Sequence, residues 1–304
     1  MKVIDMFSGA GGLTTGAIQA GAKVVWAANH NQDAVYYYKA NHPGVPCVKQ
    51  DLHQADWSQI PSHDALLAAP ACTGHTPARG KDRPHHDKDR STAWAVVSCA
   101  EYHRQEIVVG ENVPAFLAWE LYPAWEYSMQ KLGYCVEPHI VDCADLGIPQ
   151  HRVRLILVCT RSKAPLKLKL PQRPHQPISG FIQWDKHRWN PINKPGRSTK
   201  TLARVQSGRS RFGDRFVMPY YTRGSGTTGR SLDRPLGTVT THDRWALVNG
   251  DRMRMIQVPE YVAAMDFPTN YVLPAARDRA IKLLGNAVPP TLARDVITAI
   301  KEAA

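Results

Sequence analysis

The chain starts with the apolar segment Val3-Ile4-Asp5-Met6, which is followed by Phe7-Ser8-Gly9-Ala10-Gly11-Gly12 and by a helix-like run that reaches Ala20. A strand, a tight glycine turn and a helix form the nucleotide-binding start of a doubly wound α/β fold. The match to the dinucleotide pattern is imperfect, because Thr15 stands where that pattern requires glycine. The turn therefore predicts the fold and the kind of site, and it leaves the ligand open.

The first half of the chain continues this alternation of strands and helices. The pattern predicts strands at 2–6, 23–28, 64–69, 106–109 and 154–159, and helices at 12–21, 31–41, 91–103 and 119–132. Such alternation favours a mostly parallel sheet with helices on both faces. From Arg161 onward, prolines, glycines and arginines interrupt the pattern, which predicts a second, smaller, irregular β-rich domain. A final helix is expected over 291–302.

Polar side chains follow or open three of these strands. Cys72 follows the third predicted strand, Glu111 follows the fourth, and Arg152 and Arg154 open the fifth. In an open parallel sheet, ligands bind in the crevice at the strand ends, so these four side chains are expected to share one pocket. A thiolate can attack an electron-poor ring there, while a carboxylate holds a ring proton and a guanidinium holds a carbonyl oxygen.

Positive charge is concentrated in one part of the chain. The formal net charge is +12, and residues 161–254 contain 20 Lys and Arg against 5 Asp and Glu, whereas the rest contains 18 against 21. Aromatic residues are interleaved with these charges. This block predicts a surface that faces nucleic-acid phosphates, with a solvated basic face as the alternative.

Composition excludes several other classes. Six cysteines without a Cys-x-x-Cys pair indicate neither a disulfide framework nor a zinc site, and His85-His86 has no evident second ligand pair, so no metal is expected. The first residues do not read as a signal peptide, because Asp5 interrupts a short apolar run. No run approaches the length that spans a membrane, so we expect a cytoplasmic protein without a membrane partner.

Five ordered motifs together resemble those of the DNA cytosine-5 methyltransferases, in particular small bacterial or phage enzymes. They are Asp5 to Gly12, Cys72, Glu111-Asn112-Val113, Gln150 to Arg154 and Gly285-Asn286-Ala287-Val288. The resemblance implies a Rossmann-like methyltransferase that acts on duplex DNA, with 1–162 as catalytic and cofactor-binding domain, 163–250 as target-recognition domain and 251–304 returning to the catalytic domain. It further implies methyl transfer from S-adenosylmethionine to carbon 5 of a flipped-out cytosine through a covalent cysteine adduct, as in restriction-modification systems.

The same resemblance assigns roles to individual residues. Cys72 would add to carbon 6 of the base, Glu111 would bond ring nitrogen 3, Arg154 would hold the carbonyl oxygen, and Arg152 would support the pocket or the thiolate. The implied cofactor-binding residues are Phe7, Ser8, Gly9, Gly11, Gly12, Leu13, His30, Asp51, Pro70, Asn286, Ala287 and Val288. The implied DNA-binding residues are Arg79, Lys81 and Arg83 in a loop over 74–90, together with Arg209, Arg211, Arg234 and Thr238.

An Arg-x-x-x-Thr-apolar pattern occurs twice, at 197–202 and at 234–239. In the family, one such segment organises the target-recognition domain. The second copy resembles it better, because it lies closer to the C-terminal motif. Chance similarity is the alternative for so short a pattern.

The chain also departs from the family pattern. Ala71-Cys72-Thr73 stands where Pro-Cys-Gln is usual, His75 replaces a common aromatic, and His30 stands where an acidic residue usually binds the ribose. These changes leave open an RNA cytosine-5 methyltransferase of the same fold, or a catalytically weak DNA-binding homologue. The fold alone would also admit a nicotinamide-dependent dehydrogenase.

Overall fold

A seven-stranded sheet forms the centre of the large lobe. The computed structural model describes residues 1–72, 89–162, 164–220 and 229–303. The strands are β1 (Lys2–Met6), β2 (Lys23–Asn29), β3 (Cys47–Lys49), β4 (Ala65–Ala68), β5 (Ile107–Asn112), β6 (Cys135–Asp142) and β7 (Val153–Thr160). Their order is β3-β2-β1-β4-β5-β7-β6. Strands β1 to β5 are parallel, and β7 is antiparallel to both of its neighbours.

Helices cover both faces of this sheet, which explains why its central strands are almost uniformly apolar. Helix α1 (Gly12–Gln19) and the last helix, α8 (Pro290–Ala303), pack on one face through Leu13, Leu292 and Val296. On the other face lie α3 (Trp94–His103) and α4 (Tyr122–Lys131). Helix α2 (Gln32–Asn41) covers the edge formed by β2 and β3.

A smaller antiparallel sheet and the helix packed on it form the small lobe, in the C-terminal half of the chain. Its strands are β8 (Asn190–Pro191), β9 (Arg215–Pro219), β10 (Trp245–Asn249) and β11 (Arg252–Met255), in the order β8-β11-β10-β9. Helix α5 (Thr199–Phe212) packs on one face of the sheet. The opposite face joins a core that includes α6 (Val258–Ala264), α7 (Arg277–Asn286) and Ala10 of the glycine turn. This second core connects the two lobes.

The predicted fold class is confirmed, with a mostly parallel sheet and a second small sheet. Strands β3 and β6 were not predicted. Both lie at sheet edges, β3 is only three residues long, and β6 contains Pro138, which edge strands tolerate because one side of their backbone has no partner strand.

The expectation that 163–250 is irregular and mostly β is wrong for one segment, because α5 is a regular helix of 14 residues. The Ser198 side chain caps it by accepting the Thr201 N–H. The two Arg-x-x-x-Thr copies accordingly differ in structure. The first runs into α5, whereas the second has no helix or strand and forms an isolated bridge between Leu236 and Gln150. The domain boundaries at 162 and 250 stay predictions.

The backbone of helix α1 is in direct contact with the backbone of the C-terminal segment 288–290. A Cβ atom on Gly12 would lie 1.8 Å from the carbonyl oxygen of Val288, and one on Gly16 would lie 2.3 Å from that of Pro290. Only glycine permits this contact. The glycine that the nucleotide pattern places at 12 therefore also fixes where the C-terminal segment crosses the turn.

We predict that Gly12→Ala lowers the free energy of unfolding by about 1–3 kcal/mol, because the added methyl group overlaps backbone that cannot move aside. Urea unfolding followed by circular dichroism measures this change. Gly44→Ala is the matched control, since no atom lies within 4 Å of the Cβ it would add. Equal losses in the two variants would contradict the close contact.

Candidate active site

The turn after β1 has the backbone geometry of a ligand cradle. Phe7, Gly9 and Gly11 all have positive φ angles, of 60°, 53° and 85°. Gly11 is the N-cap of α1, and no side chain caps this helix. The turn lies between β2 and β4, where the strand order reverses, which is where doubly wound sheets bind ligands. The N-terminus of α1 thus lies at the carboxyl edge of the sheet.

A buried polar network supports this turn from below. Thr14 donates its hydroxyl to Asp5 at 2.7 Å and shares a hydrogen bond with the Tyr38 hydroxyl at 2.6 Å. Asp5 is fully buried, and burial raises the pKa of its carboxyl from 3.8 to about 7. The Tyr271 hydroxyl donates to the Ala10 carbonyl, so the C-terminal half also holds the turn.

The structure gathers most of the predicted cofactor residues around this turn. Leu13 packs in the same core as Val288, and Ala10 packs with Ala287. Pro70 follows β4 and is buried, whereas Asn286, at the end of α7, is exposed. The predicted set therefore converges from three separate parts of the chain.

His30 and Asp51 lie on the same edge, after β2 and β3. His30 is exposed, and Asp51 is exposed while its carboxylate accepts the His53 N–H at 3.1 Å. The amide oxygens beside His30 are already engaged, because Asn29 accepts the Asn31 N–H at 2.9 Å and Asn31 accepts the Ala34 N–H at 3.2 Å. His30 is one of the exposed side chains of this loop, together with Asn31 and Gln32.

A buried ion pair lies at the carboxyl edge of the sheet. The Arg154 Nε atom lies 2.9 Å from Glu111 Oε1, and the two side chains are 11% and 10% exposed. Glu111 is near the end of β5, and Arg154 is near the start of β7, which runs in the opposite direction. The antiparallel pairing brings the carboxylate and the guanidinium to the same edge.

Cys72 lies within electrostatic range of this pair. Burial raises the pKa of its thiol, and the Glu111 charge raises it further, whereas Arg154 and Arg152 lower it. The segment before it is held at both sides. Asn112 donates to the Pro70 carbonyl at 3.2 Å, and the Ala71 N–H donates to Thr92 at 3.1 Å. Neither Asn112 nor Thr92 was predicted, because an amide or hydroxyl that bonds backbone has no distinctive sequence pattern.

Arg152 is fully buried and is engaged by backbone. It donates to the carbonyls of Val239 at 2.9 Å, Gly285 at 3.0 Å and Ala287 at 2.8 Å. Burial and the neighbouring Arg154 lower the pKa of its guanidinium from 12.5 to about 9. Of the two predicted uses of Arg152, these contacts favour support of the pocket.

The predicted DNA-binding residues divide into three groups. Arg79, Lys81 and Arg83 lie outside the described residues, as do Thr73 and His75, which depart from the family pattern near Cys72. Arg209 bonds the Gly250 carbonyl and Asp251, and the Thr238 hydroxyl donates to the His151 carbonyl at 2.8 Å. Arg211 and Arg234 are exposed.

Some arginines of the basic block 161–254 pair with carboxylates of the protein itself. Arg254 forms a buried pair with Glu260, and Arg173 binds Asp295 of α8. Buried Arg254 is therefore not part of a phosphate-facing surface, whereas Arg173 is half-exposed and pairs with a carboxylate of the protein itself.

Among residues 1–72, 89–162, 164–220 and 229–303, no group of three or more His, Cys, Asp or Glu side chains could hold a metal ion. In the same part of the chain, every helix is too short or too polar to cross a membrane.

Comparison with known proteins gives consistent matches along nearly the whole chain. The family model for C-5 cytosine-specific DNA methylase matches residues 1–193 and 185–302. The type II methyltransferase M.HhaI of Haemophilus parahaemolyticus is 24% identical over 306 residues, which cover 95% of this chain and 90% of that protein. M.MthTI of Methanothermobacter thermautotrophicus is 24% identical over 99% of this chain and 97% of its own.

Solved structures of similar fold include two that are matched over nearly their full length. A DNA modification methyltransferase encoded within an E. coli prophage has a TM-score of 0.72 at 17% identity, over 100% of this chain and 99% of its own. A mutant of Spodoptera frugiperda DNMT2 has a TM-score of 0.73 at 15% identity, over 99% of both chains. At these identities the likeness shows the fold alone. The family match, however, runs through both sheets and all five motifs, and the chain belongs to the C-5 cytosine-specific DNA methylase family.

Proposed function

We propose that this protein transfers a methyl group from S-adenosylmethionine to carbon 5 of a cytosine that is flipped out of duplex DNA. The observation that carries the proposal is the buried Glu111–Arg154 pair beside Cys72 at the carboxyl edge of the sheet. A ring that enters this crevice would meet a nucleophile, a proton carrier and a fixed cation at once.

The described residues fit the cofactor. The glycine turn places the N-terminus of α1 at the crevice, the His42 ring closes the side of Gly11, and His30 and Asp51 are exposed polar residues on the same edge. When bound, S-adenosylmethionine supplies an electrophilic methyl group on a sulfonium. Phe7 to Leu13, Pro70 and Asn286 to Val288 would hold it against the crevice.

The proposed reaction starts at Cys72 and ends with the thiolate restored. The Cys72 thiolate adds to carbon 6, and the electron pair released into the ring makes carbon 5 nucleophilic towards the methyl group. Glu111 gives a proton to ring nitrogen 3 as negative charge develops there, while Arg154 holds the carbonyl oxygen and keeps Glu111 in place. Loss of the carbon 5 proton to water, return of the nitrogen 3 proton to Glu111 and cleavage of the Sγ–carbon 6 bond then restore the ring, the carboxylate and the thiolate, and S-adenosylhomocysteine is the second product.

The electrostatics of the crevice link these steps. Because the Glu111 charge raises the pKa of the Cys72 thiol, the protonated form of Glu111 makes the thiolate easier to form. The form of Glu111 that can donate to the base is therefore also the form that favours the nucleophile. Arg154 lowers the same thiol pKa.

The central test is Cys72→Ala, which we expect to abolish methyl transfer because no other group replaces the attacking thiolate. Transfer of tritiated methyl groups to unmethylated plasmid DNA measures activity. A DNA duplex amplified with 5-fluorodeoxycytidine triphosphate carries 5-fluorocytosine in every sequence context. Covalent capture of the protein on this duplex measures the cysteine adduct, and Cys135→Ala is the control. Activity near wild type in Cys72→Ala, or methylation of transfer RNA in place of DNA, would contradict the proposal.

We further predict that His30→Glu binds S-adenosylhomocysteine roughly tenfold more tightly, because a carboxylate accepts hydrogen bonds from both ribose hydroxyls and charged hydrogen bonds contribute about 1.5–3 kcal/mol. Calorimetric titration measures the affinity. His242→Glu introduces the same charge at an exposed position of the small lobe. Unchanged affinity in His30→Glu would remove His30 from the cofactor site.

Exposed basic residues of the small lobe are proposed to face DNA phosphates. We expect the double variant Lys200→Gln, Arg211→Gln to reduce the slope of log affinity against log salt by roughly 2, since each lost phosphate contact removes about 0.9. Fluorescence anisotropy with a 20-base-pair duplex, a length chosen at roughly two helical turns, measures the slope. Lys2→Gln, Lys23→Gln is the matched control, because both lysines are exposed at the amino ends of β1 and β2, opposite the crevice. Equal slopes in the two double variants would refute the assignment.

A further inference from the structure

Three distant segments meet at the residues that precede and open β7. Gln150 is fully buried, and its side chain accepts the Val239 N–H at 2.7 Å while donating to the Ala264 carbonyl at 3.1 Å. Two positions later, the Arg152 side chain bonds the Val239, Gly285 and Ala287 carbonyls. Val239 is therefore held from both its N–H and its carbonyl by side chains of one short motif.

Backbone contacts bind the first of these segments, 236–241, to the same motif. The Leu236 N–H donates to the Pro149 carbonyl at 3.0 Å, and the His151 N–H donates to the Leu236 carbonyl at 2.7 Å. The Thr238 hydroxyl adds its bond to the His151 carbonyl. Segment 236–241 is thus fixed to the start of β7, and it leads into β10 of the small sheet.

The second segment, 285–288, touches the first directly. A Cβ atom on Gly285 would lie 2.3 Å from the carbonyl carbon of Thr240 and 2.5 Å from the Thr241 nitrogen. The Arg152 guanidinium reaches carbonyls on both segments from one planar group. Because these carbonyls are buried, a shift of either segment would leave a donor or acceptor unpaired, which costs about 1–3 kcal/mol per group.

We propose that Arg152 is a positioning residue that couples two segments, so that a ligand on one segment orders the other. The first is 285–288, which belongs to the proposed cofactor site, and the second is 236–241, which leads into β10 of the small sheet. The proposal rests on the proposed function, because it takes 285–288 as part of the cofactor site. It goes further, in assigning communication between the two substrates to one guanidinium. Such coupling typically changes affinities by roughly 5- to 150-fold.

Amide hydrogen exchange with S-adenosylhomocysteine as the probe tests this coupling without a known DNA sequence. In the wild type we expect the probe to slow exchange at 7–13 and 285–288, and also to slow it by roughly fivefold or more at 236–241. In Arg152→Lys we expect slowing at 7–13 and 285–288 to remain and slowing at 236–241 to be lost. A single ammonium cannot replace a planar group that bonds carbonyls of both segments.

Arg173→Lys is the matched control. Arg173 also bonds a backbone carbonyl, that of Leu146, and it pairs with Asp295 of α8, but it contacts neither coupled segment. We expect Arg173→Lys to retain the wild-type exchange pattern.

A second variant, Gln150→Met, tests the coupling if Arg152→Lys does not unfold cooperatively. It removes the bond to the Val239 N–H while preserving side-chain volume. Reduced slowing at 236–241 in that variant supports the coupling, and unchanged slowing overturns it.

The outcomes separate the two proposals. Slowing at 7–13 and 285–288 without any change at 236–241 in the wild type would overturn the coupling alone. Equal slowing at 236–241 in the wild type and Arg152→Lys would do the same. The absence of slowing at 7–13 in the wild type would instead overturn the proposed cofactor, and the coupling with it.

Discussion

The direction of one strand determines where the chemistry of this protein can occur. Strand β7 runs antiparallel to both neighbours in a sheet whose first five strands are parallel, so its first residues lie at the edge where β4 and β5 end. In the parallel direction, Arg154 would stand at the opposite edge from Glu111 and could not pair with it. The reversal also places Gln150 and Arg152 where segments 236–241 and 285–288 arrive. The antiparallel direction of β7 therefore accounts both for the proposed active site and for the contacts that join the two lobes.

Arginine serves three different physical roles in this chain. Arg154 neutralises a buried carboxylate, Arg152 satisfies buried backbone carbonyls, and Arg254 combines a bidentate bond to Glu260 with a contact to the Trp189 ring. A buried charge is costly unless its partners are complete, so each of these sites is sensitive to the loss of one partner. The positive excess of the C-terminal half is consequently divided between interior arginines and exposed ones such as Arg211.

Under the proposed function, the departures from the family pattern lie in the parts of the site that bind and position a ligand, beside the groups assigned to the chemistry. The nucleophile segment has Ala71 in place of proline, yet Thr92 and Asn112 hold its backbone on either side. His30 replaces an acid on an exposed loop whose neighbouring amides are already bonded. The proposed function assigns both positions to ligand binding, whereas Glu111 and Arg154 form the buried ion pair within electrostatic range of Cys72.

The sequence by itself determined the periodic part of the protein and the residue types of its site. Apolar runs and the glycine turn predicted the central strands and α1, because burial on both faces leaves a local signal, and the ordered motifs predicted Cys72, Glu111 and Arg154. Edge strands β3 and β6, and helix α5 in a block rich in proline and arginine, left weaker signals. Only the tertiary structure decided which arginines are interior and that Gln150 and Arg152 join distant segments. Those roles depend on contacts between residues up to 135 positions apart, which no local pattern records.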